Sequence, residues 1–171
     1  MPTPPEDDPF RILGLDPAFE IESGDLNRAY LTRVATLHPD AAGTDADAAR
    51  INDARRILED LESRANALLR HLGGPLKEDH RELPPGFLTE ILEAREHMES
   101  ITDSDDAEAL TAFAALAEDR RKHHVDRVAG LFRALSDPPT PEALTQIRVE
   151  LNAWRYAERM IEQLQPEARS S

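Results

Sequence analysis

Apolar side chains recur along most of the chain at steps of three and four residues, which is the spacing of one face of an α-helix. This pattern, together with helix-start and helix-stop residues, predicts six helical segments. Their predicted ranges are 8–13, 22–37, 44–72, 85–101, 103–135 and 140–165. No stretch alternates between apolar and polar residues as a strand would. We therefore expect an all-α fold.

Proline and glycine divide the predicted helices into two groups. The third predicted helix stops at Gly73, Gly74 and Pro75, and more prolines follow before Gly86. Such residues end helices and favour turns and linkers. The predicted parts are a helical domain at 1–74, a linker at 75–86 and a three-helix domain at 87–171.

Composition narrows the class of protein. Charged residues make up 32% of the 171 residues, and the formal net charge is −14. This acidity argues against binding to nucleic acid, which needs a basic surface. The chain has no cysteine, so disulfides and thiolate sites are excluded. The sequence shows no membrane span, and its acidic, proline-rich start is unlike a presequence, so we expect a cytoplasmic protein.

The tripeptide His38-Pro39-Asp40 follows the second predicted helix. Pro39 cannot continue a helix and disfavours a helical His38, so the tripeptide is expected at a helix end or loop tip. It would present an imidazole and a carboxylate to a partner. Alternatively, Asp40 simply caps the next helix. A catalytic His/Asp pair has less support, because no Ser or Cys nucleophile motif accompanies it.

The remaining histidines show no metal-ligand spacing, and the sequence predicts neither a metal site nor a cofactor. His124 falls on an apolar helix face with Phe113, Ala117 and Val128. We interpret it as a hydrogen-bonded residue between helices rather than as a ligand.

The fourth predicted helix has two apolar features. Its core stripe is predicted to consist of Phe87, Ile91, Ala94, Met98 and Ile101. At about 100° per residue, Leu88 and Leu92 lie about a quarter to a third of a turn from this core stripe, next to carboxylates. They predict a partner surface, and the alternative is a wide apolar face that packs on two neighbours.

The last predicted helix also has two apolar stripes. The core stripe contains Leu151 and Trp154, and a second stripe lies roughly opposite. We expect the second stripe to be exposed and suited to docking; scattered surface residues are the alternative. The second stripe comprises Val149, Ala153, Tyr156 and Met160.

Helix, His-Pro-Asp, loop and helix together resemble a J domain. Further segments of the chain resemble segments of the HscB family, whose members are J-type co-chaperones of iron–sulfur cluster assembly. The matching segments are Ile51–Ala54 with Leu58, Arg64–Gly73, Phe87–Glu96 and Arg155–Met160. The resemblance extends from about Phe10 to Leu164.

This resemblance implies an N-terminal J domain, formed by a helical hairpin and a short helix, joined to a C-terminal three-helix bundle in an L shape. It also implies a non-enzymatic protein with two partners, a DnaK/HscA-type chaperone ATPase and an IscU-type iron–sulfur scaffold protein. The implied chaperone-binding residues are His38, Pro39, Asp40, Arg28 and Arg33. The implied scaffold-binding residues are Leu88, Thr89, Leu92, Glu93, Glu96 and Tyr156.

The chain departs from the family pattern in several places. Ala41 replaces a basic residue, Thr89 replaces a methionine, and Arg33 stands where a core leucine is usual. A J-domain adaptor for another client and a degenerate J-like protein without ATPase stimulation are therefore alternatives. A small helical hydrolase that uses His38 and Asp40 is an alternative from another class.

Overall fold

The computed structural model describes residues 6–36, 45–104 and 107–164. These residues form helices and connecting segments, and none of them forms a strand. The helices are α1 (Pro9–Leu13), α2 (Ser23–Thr36), α3 (Asp45–Glu59), α4 (Leu61–His71), α5 (Phe87–Ser104), α6 (Ala107–Arg133) and α7 (Pro141–Leu164). The all-α prediction is confirmed.

The single helix predicted over residues 44–72 is wrong, because Asp60 divides it into α3 and α4. The backbone of Asp60 is extended (φ −81°, ψ 125°), and its carboxylate accepts a hydrogen bond from Ser63 N at 2.8 Å. This is an N-cap arrangement. The buried Arg64 guanidinium donates to Leu58 O at 2.6 Å, near the end of α3. Apolar spacing continues across the break, so it did not reveal the cap.

The predicted start of the fifth helical segment at Asp103 and Ser104 is also wrong. Both residues belong to α5, and α6 begins at Ala107. An N-cap residue has a non-helical backbone, so neither residue can cap α6 while it is part of α5.

The larger hydrophobic core joins α1–α4 to the paired helices α6 and α7. Phe19, in the segment between α1 and α2, links the two sides. Its ring stacks on Phe132 at a centroid distance of 5.7 Å and meets Trp154 edge-on at 6.4 Å. Trp154 is fully buried. The N-terminal helices and the base of the C-terminal helices are therefore packed around shared side chains.

A smaller core holds α5 against α6 and α7. Its buried members are Ala94, Ile101 and Phe113, and Met98 and Met160 pack against them. Ala94, Ile101 and Met98 belong to the predicted core stripe of α5. This stripe is confirmed and leaves the opposite side of α5 uncovered.

The expectation of a second exposed apolar stripe on α7 is wrong. Ala153 is fully buried, and Val149, Tyr156 and Met160 are half-buried. Helix α7 is surrounded on more sides than an amphipathic surface helix, since it contacts both α4 and α6. On the linker side, Asn152 Nδ2 donates to the backbone carbonyls of His80 at 3.0 Å and Glu82 at 2.9 Å.

Candidate partner-binding surfaces

The most exposed large apolar side chains of the described residues are on α5. Leu88 is 63% exposed and Leu92 is 59% exposed. They are four residues apart and therefore neighbours on one helix face. Thr89, Glu93 and Glu96 are exposed beside them. The structure thus places two accessible leucines next to two carboxylates, away from the core stripe.

Tyr156 reaches the same end of α5 from α7. Its ring meets the Phe87 ring at a centroid distance of 6.0 Å and an interplanar angle of 70°. The guanidinium carbon of Arg159 lies 5.9 Å from the Tyr156 ring centre. Because Phe87 directly precedes Leu88, this contact brings Tyr156 to the first turn of α5. We call the six residues Leu88, Thr89, Leu92, Glu93, Glu96 and Tyr156 the leucine patch.

Beneath Phe87, α6 and α7 share a polar network around the buried Glu150 carboxylate. His124 Nδ1 lies 2.6 Å from Glu150 Oε1, and Arg127 Nε lies 2.7 Å from Glu150 Oε2. The Phe87 ring meets His124 edge-on at 5.7 Å. The prediction that His124 is a hydrogen-bonded residue between helices is confirmed.

Glu150 is the member of this network that sequence reasoning missed. Burial alone would raise its pKa, but the hydrogen bonds and charges of His124 and Arg127 outweigh burial and hold the pKa below its usual value. A signal was present in the sequence. Glu150 lies between Ile147 and Trp154 on the apolar side of α7, where a carboxylate needs a partner.

The surface of α2 differs from that of α5. Arg28 is exposed and pairs with Asp25 of the same helix at 2.7 Å. Arg33 is half-buried beside Gly14, where an added Cβ would lie only 2.6 Å from Arg33 Nη2. Leu31 is 55% exposed on the same helix. The two cations expected to contact a chaperone are therefore not equally accessible.

His38, Pro39, Asp40 and Ala41 lie outside the described residues, and so does the expected loop between α2 and α3. The structure therefore places five of the residues expected to bind a scaffold on the exposed surface of α5 and Tyr156 against Phe87 at its first turn, and both sets of partner-binding residues stay predictions. Within the ranges described, no cluster of three His, Asp or Glu side chains could hold a metal ion. None of the helices in those ranges has the length and apolarity needed to cross a membrane.

Comparison with known proteins identifies the family. The family described as HSCB C-terminal oligomerisation domain matches residues 83–165. The co-chaperone protein HscB homolog of Vibrio vulnificus strain YJ016 is 32% identical over 150 residues, covering 81% of this chain and 86% of the relative. The chain belongs to the HscB family of co-chaperones. The HscB homolog of Ralstonia nicotianae is 33% identical over 133 residues, covering 72% of this chain and 76% of the relative.

Two solved HscB structures share the fold. Chaperone HscB from Vibrio cholerae has a TM-score of 0.70 at 23% identity, covering 92% of this chain and 94% of the other. The human co-chaperone HscB has a TM-score of 0.74 at 20% identity, covering 98% of this chain and 85% of the other. The expected architecture, an N-terminal J domain joined to a C-terminal helical bundle, is confirmed.

Within this HscB-family fold, the domain boundaries at residues 74 and 87 and the individual partner-binding residues stay predictions. The match to the HscB C-terminal domain begins at residue 83, inside the predicted linker. It includes all of α5, α6 and α7. The leucine patch therefore lies within the segment that carries the family match.

Proposed function

We propose that the protein is a J-type co-chaperone of iron–sulfur cluster assembly. It binds an IscU-type scaffold protein and stimulates ATP hydrolysis by a DnaK/HscA-type chaperone, with no enzymatic activity, cofactor or metal of its own. The cytoplasmic location expected from the sequence is part of this proposal. The observation that carries it is the exposure of Leu88 and Leu92 beside carboxylates in a chain of the HscB family.

The leucine patch has the chemistry of a protein-binding surface. Exposed leucines at adjacent turns can bury apolar area against a partner, and this burial favours association. Glu93 and Glu96 add negative charge at the border. A scaffold with an apolar groove and basic residues around it would match both features.

The second partner would contact the J domain. We assign this contact to His38, Pro39 and Asp40 together with Arg28 and Arg33. Residues 1–72 carry 8 basic and 14 acidic residues, so the chaperone contact would depend on a few cations. Binding both partners to one chain raises the concentration of scaffold near the chaperone, and contact with the tripeptide shifts the chaperone toward hydrolysis.

The test combines calorimetry with an ATPase assay, using the scaffold and the chaperone of the same organism. The double variant Leu88→Ala with Leu92→Ala should bind the scaffold at least about tenfold more weakly, which corresponds to about 1.4 kcal/mol. Leu110→Ala is the matched control, because Leu110 is a 39% exposed leucine of α6 outside the patch. His38→Gln should bind the scaffold normally and lose ATPase stimulation.

Each result separates the proposal from an alternative. ATPase stimulation without any scaffold binding by the wild-type chain would indicate an adaptor for a different client. Scaffold binding without stimulation would indicate a degenerate J-like protein. Normal stimulation by His38→Gln would remove the role assigned to the tripeptide.

A further inference from the structure

A cleft of about 410 Å³ lies where α4, the start of the linker and α7 meet. It is separate from the leucine patch and from the expected chaperone contact on α2. Ile57, Ala67 and Leu76 contribute apolar surface to its lining, and charged side chains from several segments line the rest. The cleft therefore combines an apolar wall with ionic groups. We call it the arginine cleft.

Most of the charged groups in the arginine cleft already have partners. Three contacts account for them. Arg70 Nη2 lies 3.1 Å from Asp7 Oδ1, and His71 Nδ1 lies 2.7 Å from Asp8 Oδ2. Glu62 Oε2 lies 3.3 Å from Nη1 of Arg155, a residue that does not line the cleft. These contacts leave Arg148 of α7 and the linker residues Lys77 and Glu78.

Arg148 is the exceptional member, because it is only 4% exposed. Its Nε has no hydrogen-bond partner, and no carboxylate of the described residues forms an ion pair with its guanidinium. Burial lowers the pKa of Arg148, while the nearby charges of Glu62 and Glu78 act in the opposite direction. A guanidinium stays protonated at neutral pH, so Arg148 is a buried cation without a direct counter-ion in the part of the chain that the structure describes.

We propose that the arginine cleft binds a carboxylate carried on a short apolar stem, with the Arg148 guanidinium as its anchor. The planar guanidinium matches a carboxylate through two parallel hydrogen bonds. Glu62 and Glu78 also line the cleft and would repel a doubly charged anion more strongly than a singly charged one. Ile57 and Leu76 provide apolar surface for the stem.

The test measures the thermal stability and calorimetric binding of the full chain with hexanoate as the probe. Hexanoate should raise Tm in a concentration-dependent way, since a ligand that binds only the folded state stabilises it. Acetate, 1-hexanol and inorganic phosphate at matched ionic strength should have smaller effects. Acetate lacks the stem, hexanol lacks the charge, and phosphate carries more charge and no stem.

Three variants locate the effect. Arg148→Gln should weaken hexanoate binding at least tenfold, and Arg148→Lys, which keeps the charge but loses the planar fork, should also weaken it. Glu78→Gln should strengthen binding by removing a like charge. Arg56→Gln is the control and should bind like the wild type, because Arg56 is an exposed residue of α3 outside the cleft.

Several results would overturn the proposal. They are an unchanged Tm with hexanoate, an equal shift with hexanol or phosphate, and undiminished binding by both Arg148 variants. A Glu78→Gln variant that loses hexanoate binding would also contradict it, because Glu78 would then be part of the site instead of opposing the ligand. The Lys variant retains a charged side chain and keeps the test decisive if the Gln variant does not fold.

Discussion

The two hydrophobic cores hold their helices with very different amounts of buried surface. Among the described residues, the larger core contains 16 buried apolar side chains from the N-terminal helices and from α6 and α7. The smaller core holds α5 with Ala94, Ile101 and Phe113 and a few half-buried neighbours. Stability scales with buried apolar area, so we expect the smaller core to hold α5 less firmly than the larger core holds its helices. The helix that displays Leu88 and Leu92 is therefore held by the smaller of the two cores.

The strongest way to test this contrast is to remove the centre of the larger core. Trp154→Ala should lower the free energy of unfolding by about 3–5 kcal/mol, because it leaves a large cavity and removes the hydrogen bond that Trp154 Nε1 donates to Glu158 Oε1. Denaturant unfolding monitored by circular dichroism measures the change. Trp154→Phe is the control, and its free energy of unfolding should fall by clearly less. Equal losses for both variants would mean that packing volume is not the decisive quantity.

Removing the centre of the smaller core should have a more local effect. Phe113→Ala should lower the free energy of unfolding by about 3 kcal/mol or less, which is at the low end for Phe→Ala substitutions. Amide hydrogen exchange should show faster exchange in α5 than in α3 and α4, since local opening follows local stability. Phe113→Leu should retain most of the protection. Uniformly faster exchange throughout the chain would show that the two cores unfold as one unit.

The smallest effect is expected at the polar network that lies between the cores and supports Phe87. Glu150→Gln should lower the free energy of unfolding by about 1–3 kcal/mol at neutral pH, because it weakens the charge-assisted hydrogen bonds of a buried carboxylate. The pKa of Glu150 is lower in the folded state than its ordinary value of 4.5. The stability that the Glu150 charge contributes is therefore present above pH 4.5 and is lost as the pH falls through the folded-state pKa.

Unfolding free energies at several pH values between 7 and 3 measure this effect. The difference between wild type and Glu150→Gln should shrink toward the acidic end. Glu118→Gln is the matched control, because Glu118 makes an exposed pair with Arg121 at 3.5 Å and should change stability by less than about 0.5 kcal/mol. A difference that is constant with pH would contradict the role assigned to the Glu150 charge.

Helical periodicity was enough to predict the all-α class and the core stripe of α5. It could not locate the break at Asp60, because the apolar spacing continues through it and only the local cap geometry separates the two helices. It also could not show that Ala153 is buried, since that depends on how many neighbours surround α7. His124 was assigned to a contact between helices, but its partner Glu150 depends on the register between α6 and α7. The leucine patch stood out because its leucines fall outside the core stripe.

The hydrogen bonds from Asn152 to the carbonyls of His80 and Glu82 bear on how two binding surfaces on one chain would work together. A flexible tether lets its ends explore a range of separations, and the probability of any one separation falls as the tether lengthens. Here the connecting segment is fastened to α7, and Phe19 packs against Trp154 across the same junction. The distance between the leucine patch and α2 is thus set by packed side chains instead of by chain statistics. A partner bound at one surface would meet a partner bound at the other in a defined orientation.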